Sequence, residues 1–215
     1  MPQVDAGAGA GAGAGAAMVA DLSTRSFETA LVQRCLAGDR AAAHELHQRY
    51  YPAAAAFLRK LGTRSDEMED AGQEVFLQFF RYLPSFRGDA QLKTWLFRLC
   101  ITEARRVRRR RRLRETVAKV LGREQQQEAA VPPATHSEAT LRQKFESGLD
   151  RLSPTHRLIF VLLEMEGLPA NQVAELARCS EATVWRRLSE VRKLCQEMLE
   201  LDPPARDERD EKEPT

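Results

Sequence analysis

From Phe27 to about Arg114 the large apolar residues of this chain recur at steps of three and four, with no β-hairpin signal. That period confines the chain to amphipathic helices packed side by side. Phe27, Leu31, Val32, Cys35 and Leu36 predict a first helix, closed by Gly38-Asp39; a second runs from about Ala41 to Leu61, where Gly62 stops it. Ser65 or Asp66 is the expected N-cap of a third helix, from about Asp66 to Leu83. Val75, Phe76, Phe79 and Leu83 share one of its faces with Gly72. A glycine inside a helix costs about 1 kcal/mol relative to alanine, so its place on the apolar face points to close approach of a neighbouring helix. Pro84 ends this helix. Phe86-Arg87-Gly88-Asp89-Ala90 reads as a loop with Asp89 as N-cap, and a fourth helix follows from about Gln91 through an arginine-rich run.

The character changes at Glu115. The stretch to Thr140 holds Gln125-Gln126-Gln127 and Pro132-Pro133 and few large apolar residues after Leu121, as expected of a linker that is helical only at its start. Helical period resumes near Leu141. Ser153 is placed to cap a helix whose first position is Pro154 and whose core face is Leu158, Ile159, Leu162 and Leu163. Gly167 stops it, and Pro169 opens a short helix with Val173, Ala174 and Leu176 apolar. Arg178-Cys179-Ser180 makes a turn, and Ser180 caps a longer helix in which Val184, Leu188, Val191, Cys195 and Met198 are spaced 4, 3, 4 and 3. Short helix, three-residue turn, longer helix is the helix-turn-helix pattern. The expected fold class is therefore all-α, with two helical domains, 26–114 and 141–201, joined by a flexible linker over 115–140. Ala6 to Ala16 alternates Gly and Ala and has nothing to bury; residues 1–25 and the acidic tail 202–215 are expected to stay disordered.

A net charge of +2 conceals strong segregation. Eight of the ten positions from Arg105 to Arg114 are arginine, whereas the tail from Asp202 carries six acids against three bases. Like charges one turn apart weaken an isolated helix. A DNA backbone would screen them with release of counterions; a solubilising basic segment is the plainer alternative. Trp95 and Phe97 stand just upstream, beside the Phe86–Ala90 loop. Aromatics next to a basic groove suit unstacked single-stranded bases, each contact being worth ~1–3 kcal/mol, but a tryptophan among Leu92, Leu96 and Leu99 suits a core equally well. On the last helix Ala182, Arg186, Ser189, Glu190 and Lys193 oppose the apolar stripe, and Trp185, Arg187 and Arg192 flank it. Such a helix fits the major groove, where an arginine reading guanine bidentately supplies ~1–3 kcal/mol of discrimination and flanking bases hold phosphates.

No glycine-rich phosphate loop, HExxH or paired Cys/His or Ser/His motif is present, so catalysis is not expected and no cofactor is implied. Asp70 and Glu74, one turn apart beside Gln73, read as a protein-docking face rather than a metal site. His44 and His47 have no third ligand at metal spacing and read as surface histidines. Cys35, Cys100, Cys179 and Cys195 show no CxxC spacing, which fits reduced, mostly buried thiols in a cytoplasmic protein. No run approaches the roughly eighteen apolar residues of a membrane span, and the N-terminus lacks the basic-then-apolar layout of a secretory leader.

Asp70-Ala71-Gly72-Gln73-Glu74-Val75-Phe76, then Phe86-Arg87-Gly88-Asp89-Ala90, then Thr94-Trp95-Leu96-Phe97-Arg98 resemble region 2 of the RNA polymerase sigma-70 family. The match is closest to the extracytoplasmic-function subgroup, which keeps only regions 2 and 4. Leu152-Ser153-Pro154 through Leu194 resembles region 4, with its signature in Glu166-Gly167-Leu168, Val173-Ala174 and Ala182-Thr183-Val184. The resemblance covers Phe27–Arg114 and Leu141–Met198. It implies a promoter-recognition subunit whose partners are core RNA polymerase, promoter DNA (single-stranded at the -10 element, duplex at the -35 element) and an anti-sigma factor. By position it implies that Asp70, Gln73 and Glu74 dock on the polymerase clamp. Phe86, Arg87, Gly88, Asp89, Trp95 and Thr102 would melt and hold the -10 element, with Arg105, Arg106, Arg108, Arg109 and the arginines to Arg112 on its backbone. Trp185, Arg186, Ser189 and Glu190, beside Thr183, would face the -35 element, with Arg187 and Arg192 on phosphates, and the linker would thread toward the polymerase interior. Three positions depart from the family pattern: Gly72 replaces a larger apolar residue, Thr102 stands where many relatives have an asparagine that reads a flipped base, and Glu190 stands where a base is common. An acid at that last position repels phosphate but can accept from cytosine N4. The rival reading is a stand-alone helix-turn-helix regulator of duplex DNA, with the first half as sensor or dimerisation domain.

Overall fold

The computed structural model describes residues 26–88, 91–121 and 147–201, and no strand occurs among them. They divide into two compact units, one holding 26–59 and 63–116, the other 60–62, 117–121 and 147–201. The all-α class expected from the periodicity is what is found. The Gly/Ala repeat, Asp89 and its capping role, most of the linker and the acidic tail lie outside the described residues.

The first unit contains α1 (residues 26–36), α2 (Arg40–Lys60), α3 (Met68–Tyr82) and α4 (Leu92–Val120). Gly38 ends α1 with a left-handed φ of 87°, a conformation that glycine adopts without steric penalty. Asp39 then caps α2: its Oδ1 accepts the Ala41 and Ala42 amides at 2.9 and 3.2 Å. Arg34 donates to its Oδ2 through Nη2 and Nε at 2.7 and 2.9 Å, and that hydrogen bonding holds the Asp39 carboxyl below the usual range.

The inward face of α1 is rotated from the one its apolar spacing suggests. Leu31 and Val32 are buried, but Phe27 and Leu36 are 46% and 42% exposed, and Phe27 lies under the Arg49 guanidinium at 4.9 Å. The rotation brings Glu28 inside. Its carboxylate accepts the Tyr50 hydroxyl and, through Oε2, the Leu92 amide at 3.3 Å. Leu92 opens α4, whose first amides have no partner within the helix, so an acid from α1 caps α4 and complements the positive end of its dipole. Burial and the adjacent carboxylate push the Tyr50 hydroxyl well above its ordinary range.

Neither Ser65 nor Asp66 caps α3. A 3₁₀ turn over Ser65–Glu67 precedes it, and the Glu67 carboxylate accepts the Arg64 amide at 3.2 Å. Because that extra turn occupies the predicted start, the α-helix itself begins at Met68. It ends at Tyr82, and Pro84 lies in a second 3₁₀ turn, Leu83–Ser85. Gly72 does mark a close approach: a Cβ there would stand 3.0 Å from the Tyr51 hydroxyl oxygen. Tyr51 stacks on His47 at 5.0 Å, and His47 meets Phe76 edge-on at 4.7 Å. His47 is therefore half-buried between two rings and not an ordinary surface histidine.

In the second unit a short α5 (residues 147–151) leads to α6 (Pro154–Phe160), which widens into a π turn over Val161–Met165. Ser153 caps α6 and Pro154 opens it, as expected. The wide turn places Val161 and Leu162 in the core and leaves Leu163 half-buried, which corrects the predicted face. α7 (Ala170–Ala177) ends at Arg178 in the left-handed region, φ 57° and ψ 52°; the Cys179 amide returns to the Ala174 carbonyl at 3.0 Å. Ser180 Oγ then accepts the Thr183 amide at 3.3 Å and opens α8 (Glu181–Leu201). Val184, Leu188 and Val191 are fully buried.

Gly72→Leu is expected to lower the stability of the first unit by about 1–3 kcal/mol, the usual result of overpacking, and Tyr51→Ala should recover part of that loss. Denaturant unfolding followed by Trp95 fluorescence in a Trp185→Phe background measures both.

Candidate nucleic-acid interface

On α3, Asp70, Gln73, Glu74 and Leu77 follow one another along one side of the helix, and Asp70, Gln73 and Leu77 are exposed. Gln73 Nε2 donates to Glu69 at 3.3 Å. Glu74 is less available: its Oε1 accepts Gln78 Nε2 at 2.9 Å and Arg106 Nη1 at 3.1 Å. The Gln78 bond, and then the Arg106 charge, hold its carboxyl below the usual range. The three residues are brought together, with one of them shared with α4.

α4 buries Leu92, Leu96, Cys100, Ala104 and Val107 and exposes Arg98, Thr102, Arg105 and Arg109 on the opposite side. Thr102 Oγ1 donates to the Arg98 carbonyl at 2.9 Å. Phe97 is core, 1% exposed and stacked on Phe57 with ring centroids 3.9 Å apart, so it is unavailable to an unstacked base. Trp95 is half-buried. One contact is to the buried Phe79 at 5.4 Å, the other to Phe86 of the preceding loop at 5.6 Å. It is anchored in the core and still reaches the surface beside that loop, where Arg87 and Gly88 are exposed and Gly88 has φ 78°.

Part of the arginine run, Arg106, Arg110 and Arg111, is neutralised within the chain. Glu103 is fully buried (0% exposed) and accepts Arg110 Nη2 at 2.9 Å and Arg106 Nη1 at 3.4 Å. Arg111 pairs with Glu67 at 3.1 Å and Arg64 with Glu115 at 3.7 Å. Burial pushes the Glu103 carboxyl up, while Arg106 and Arg110 pull it down. Glu103 was missed from the sequence, although its spacing of three and seven residues before Arg106 and Arg110 was a usable signal. Glu67 carried no such signal, because its partner lies 44 residues away.

On α8, Trp185 (54% exposed), Arg186 and Ser189 face outward, while Arg187 and Thr183 are half-buried. Thr183 Oγ1 lies 2.9 Å from Ser180 Oγ and serves the cap. Glu190 Oε1 accepts Arg186 Nη1 at 2.7 Å, and its Oε2 lies 2.7 Å from His156 Nε2 on α6. Those bonds, His156 first, hold the Glu190 carboxyl below its ordinary range. Arg192, expected to point toward phosphate, pairs with Glu164 of the π turn at 2.7 Å. Neither His156 nor Glu164 was singled out by the sequence reading. Among the described residues no group of three or more His, Cys, Asp or Glu is placed to hold a metal ion, and no helix is long and apolar enough to cross a membrane.

Comparison with known proteins matches residues 46–114 to Sigma-70 region 2 and residues 142–195 to Sigma-70, region 4. Similar proteins include the ECF RNA polymerase sigma-E factor of Haemophilus influenzae, 26% identical over 80% of this chain and 95% of the relative. The RNA polymerase sigma-H factor of Pseudomonas aeruginosa is 27% identical over 82% of this chain and 96% of the relative. Among solved structures, the sigma factor RpoE in complex with the anti-sigma factor NepR from Bartonella quintana is similar with TM-score 0.60 and 26% identity, over 74% of this chain and 97% of that one. CnrH, solved in complex with the cytosolic domain of CnrY, shares the fold with TM-score 0.56 at 23% identity, over 80% of this chain and 96% of that one.

Glu103→Ala should destabilise the first unit by about 1.5–3 kcal/mol, the range for hydrogen bonds to charged groups. Part of the loss should return in 1 M salt, which screens the arginines left without their acceptor; urea titrations at low and high salt measure it.

Proposed function

Because this chain belongs to the RNA polymerase sigma-70 family, we propose that its two helical units divide promoter recognition between them, the first opening the -10 element and the second reading the -35 element. The chain is a sigma factor of the extracytoplasmic-function type. It supplies specificity to core polymerase in the cytoplasm and performs no chemistry itself; bond formation belongs to the polymerase. The two regions, present in order in one chain, favour this over a stand-alone helix-turn-helix regulator, which would account for the second unit and leave the first unexplained.

The observation that carries the reading is the exposed side of α4. Arg98, Thr102, Arg105 and Arg109 run along it, and at its upstream end Trp95 reaches the surface beside Phe86. A phosphate backbone laid along the arginines brings an unpaired base to the tryptophan, where stacking is worth ~1–3 kcal/mol. Arg87 and Gly88 of the adjacent loop would line the opened strand, and Arg106 and Arg108 would add backbone contacts. Thr102 has one hydroxyl in place of an amide, which presents fewer hydrogen bonds to a flipped base and would loosen the -10 preference. Asp70, Gln73 and Glu74 on α3 form the docking face for the polymerase clamp. Trp185, Arg186 and Ser189 on α8 face the -35 bases, with Arg187 and Arg192 toward phosphates. A regulatory anti-sigma factor is the further partner we propose, supported by the RpoE relative, whose solved structure holds one.

Reconstitution with core polymerase tests these roles. Asp70→Arg should abolish retention of the chain by immobilised core enzyme while leaving its melting curve unchanged. Arg186→Ala should retain core binding and lose about tenfold in run-off transcription from a -35-dependent promoter, within the discrimination of one bidentate arginine. Normal binding by the Asp70 variant would remove the docking face from α3.

A further inference from the structure

A line of hydrogen bonds runs from the start of α6 to the outer face of α8. Ser153 Oγ lies 2.5 Å from His156 Nδ1 and accepts the His156 amide at 3.4 Å. His156 Nε2 stands 2.7 Å from Glu190 Oε2, and Glu190 Oε1 accepts Arg186 Nη1 at 2.7 Å. Exposure rises along the line, with side chains 24% exposed at His156, 41% at Glu190 and 64% at Arg186. We propose that His156 is a positioning residue for duplex reading: it fixes the Glu190 carboxylate, and through it the Arg186 guanidinium, in the orientation that discriminates guanine at one -35 position. This rests on the reading of α8 as the -35 helix and names what sets its selectivity.

The proton count supports the direction of control. With a neutral imidazole the Ser153 hydroxyl donates to Nδ1 and Nε2–H donates to Glu190; with an imidazolium, Nε2–H still donates to Glu190 and Ser153 accepts. In both forms the histidine is the donor and Glu190 the acceptor. Each carboxylate oxygen serves one partner, so His156 and Arg186 reinforce one rotamer of Glu190 without competing for it. A lone exposed arginine samples many rotamers, and bidentate recognition of guanine O6 and N7 uses one. Bracing Nη1 against a carboxylate that is itself anchored on a helix cap leaves the remaining donors pre-aimed, and preorganisation of this kind cuts the ordering cost of binding. Glu190 thereby acts as a brace and not as the reader of a base.

The test uses the full chain reconstituted with core polymerase and a promoter library randomised across the -35 element, with transcripts sequenced. Arg186→Ala identifies the position where guanine preference is lost. At that position His156→Leu should reduce the preference for guanine about five- to tenfold, part of what a bidentate arginine supplies. His156→Gln, whose amide can still donate to Glu190, should restore most of it. Should His156→Leu fail to fold, Glu190→Ala, which leaves the Ser153 cap intact, is expected to give the same loss of preference at the same position. An equal fall in transcription at every -35 sequence would overturn the inference by showing a purely structural role, as would unchanged preference in the His156 and Glu190 variants. If Arg186→Ala itself leaves the preference unaltered, the assignment of α8 as the -35 helix fails first, and the positioning role falls with it.

Discussion

Eight arginines among ten helical positions repel one another strongly enough to melt an isolated helix, and α4 exists as it does because acids are built into the surface it lies on. Glu103 contributes from within the helix, fully buried beneath Arg106 and Arg110, while the 3₁₀ turn before α3 contributes Glu67 and α3 itself Glu74. Removing a carboxylate from water is expensive unless its lone pairs are used, so the buried acid and its arginines depend on each other. The arrangement also ties together two surfaces with different partners. Glu74 belongs to the face proposed for the polymerase and Arg106 to the side proposed for DNA, yet they are 3.1 Å apart.

The same chemistry appears on the second unit in miniature. Arg186 and Arg192, both on α8, each rest against a carboxylate, one from the same helix and one from the π turn of α6. Exposed pairs of this kind contribute little to stability, typically under about 1 kcal/mol each. Their effect lies in direction: they decide where a guanidinium points before any phosphate or base arrives. Basic residues that look interchangeable in the sequence are thus sorted by the acids beside them.

Much of this was legible in the sequence, and what was legible was local. Gly38, Gly62 and Gly167 turn the backbone where they stand, and Ser153 and Ser180 accept amides three residues on, so their roles follow from spacing alone, and each does stop or cap a helix near its expected place. The aromatic face of α3 and the buried stripe of α8 were readable for the same reason. The misses share a different cause. Glu28 reaches Leu92 across 64 positions, Glu67 reaches Arg111 across 44, and His156 reaches Glu190 across 34. No periodicity encodes such meetings; they exist only once the helices pack. Phe27 was misassigned to the core because a buried glutamate, which hydropathy puts outside, decided how α1 turns.

The turn between α7 and α8 hangs on one dihedral. Arg178 sits at φ 57° without being glycine, in a region that L-residues occupy in a single narrow basin. The heading at which α8 departs is therefore set jointly by that backbone turn and by the packing of Val184, Leu188 and Val191. Core substitutions can shift the fit by small increments, yet they leave that choice of basin alone. Small changes in the hydrophobic interior can therefore tilt α8 without reversing the turn that mounts it.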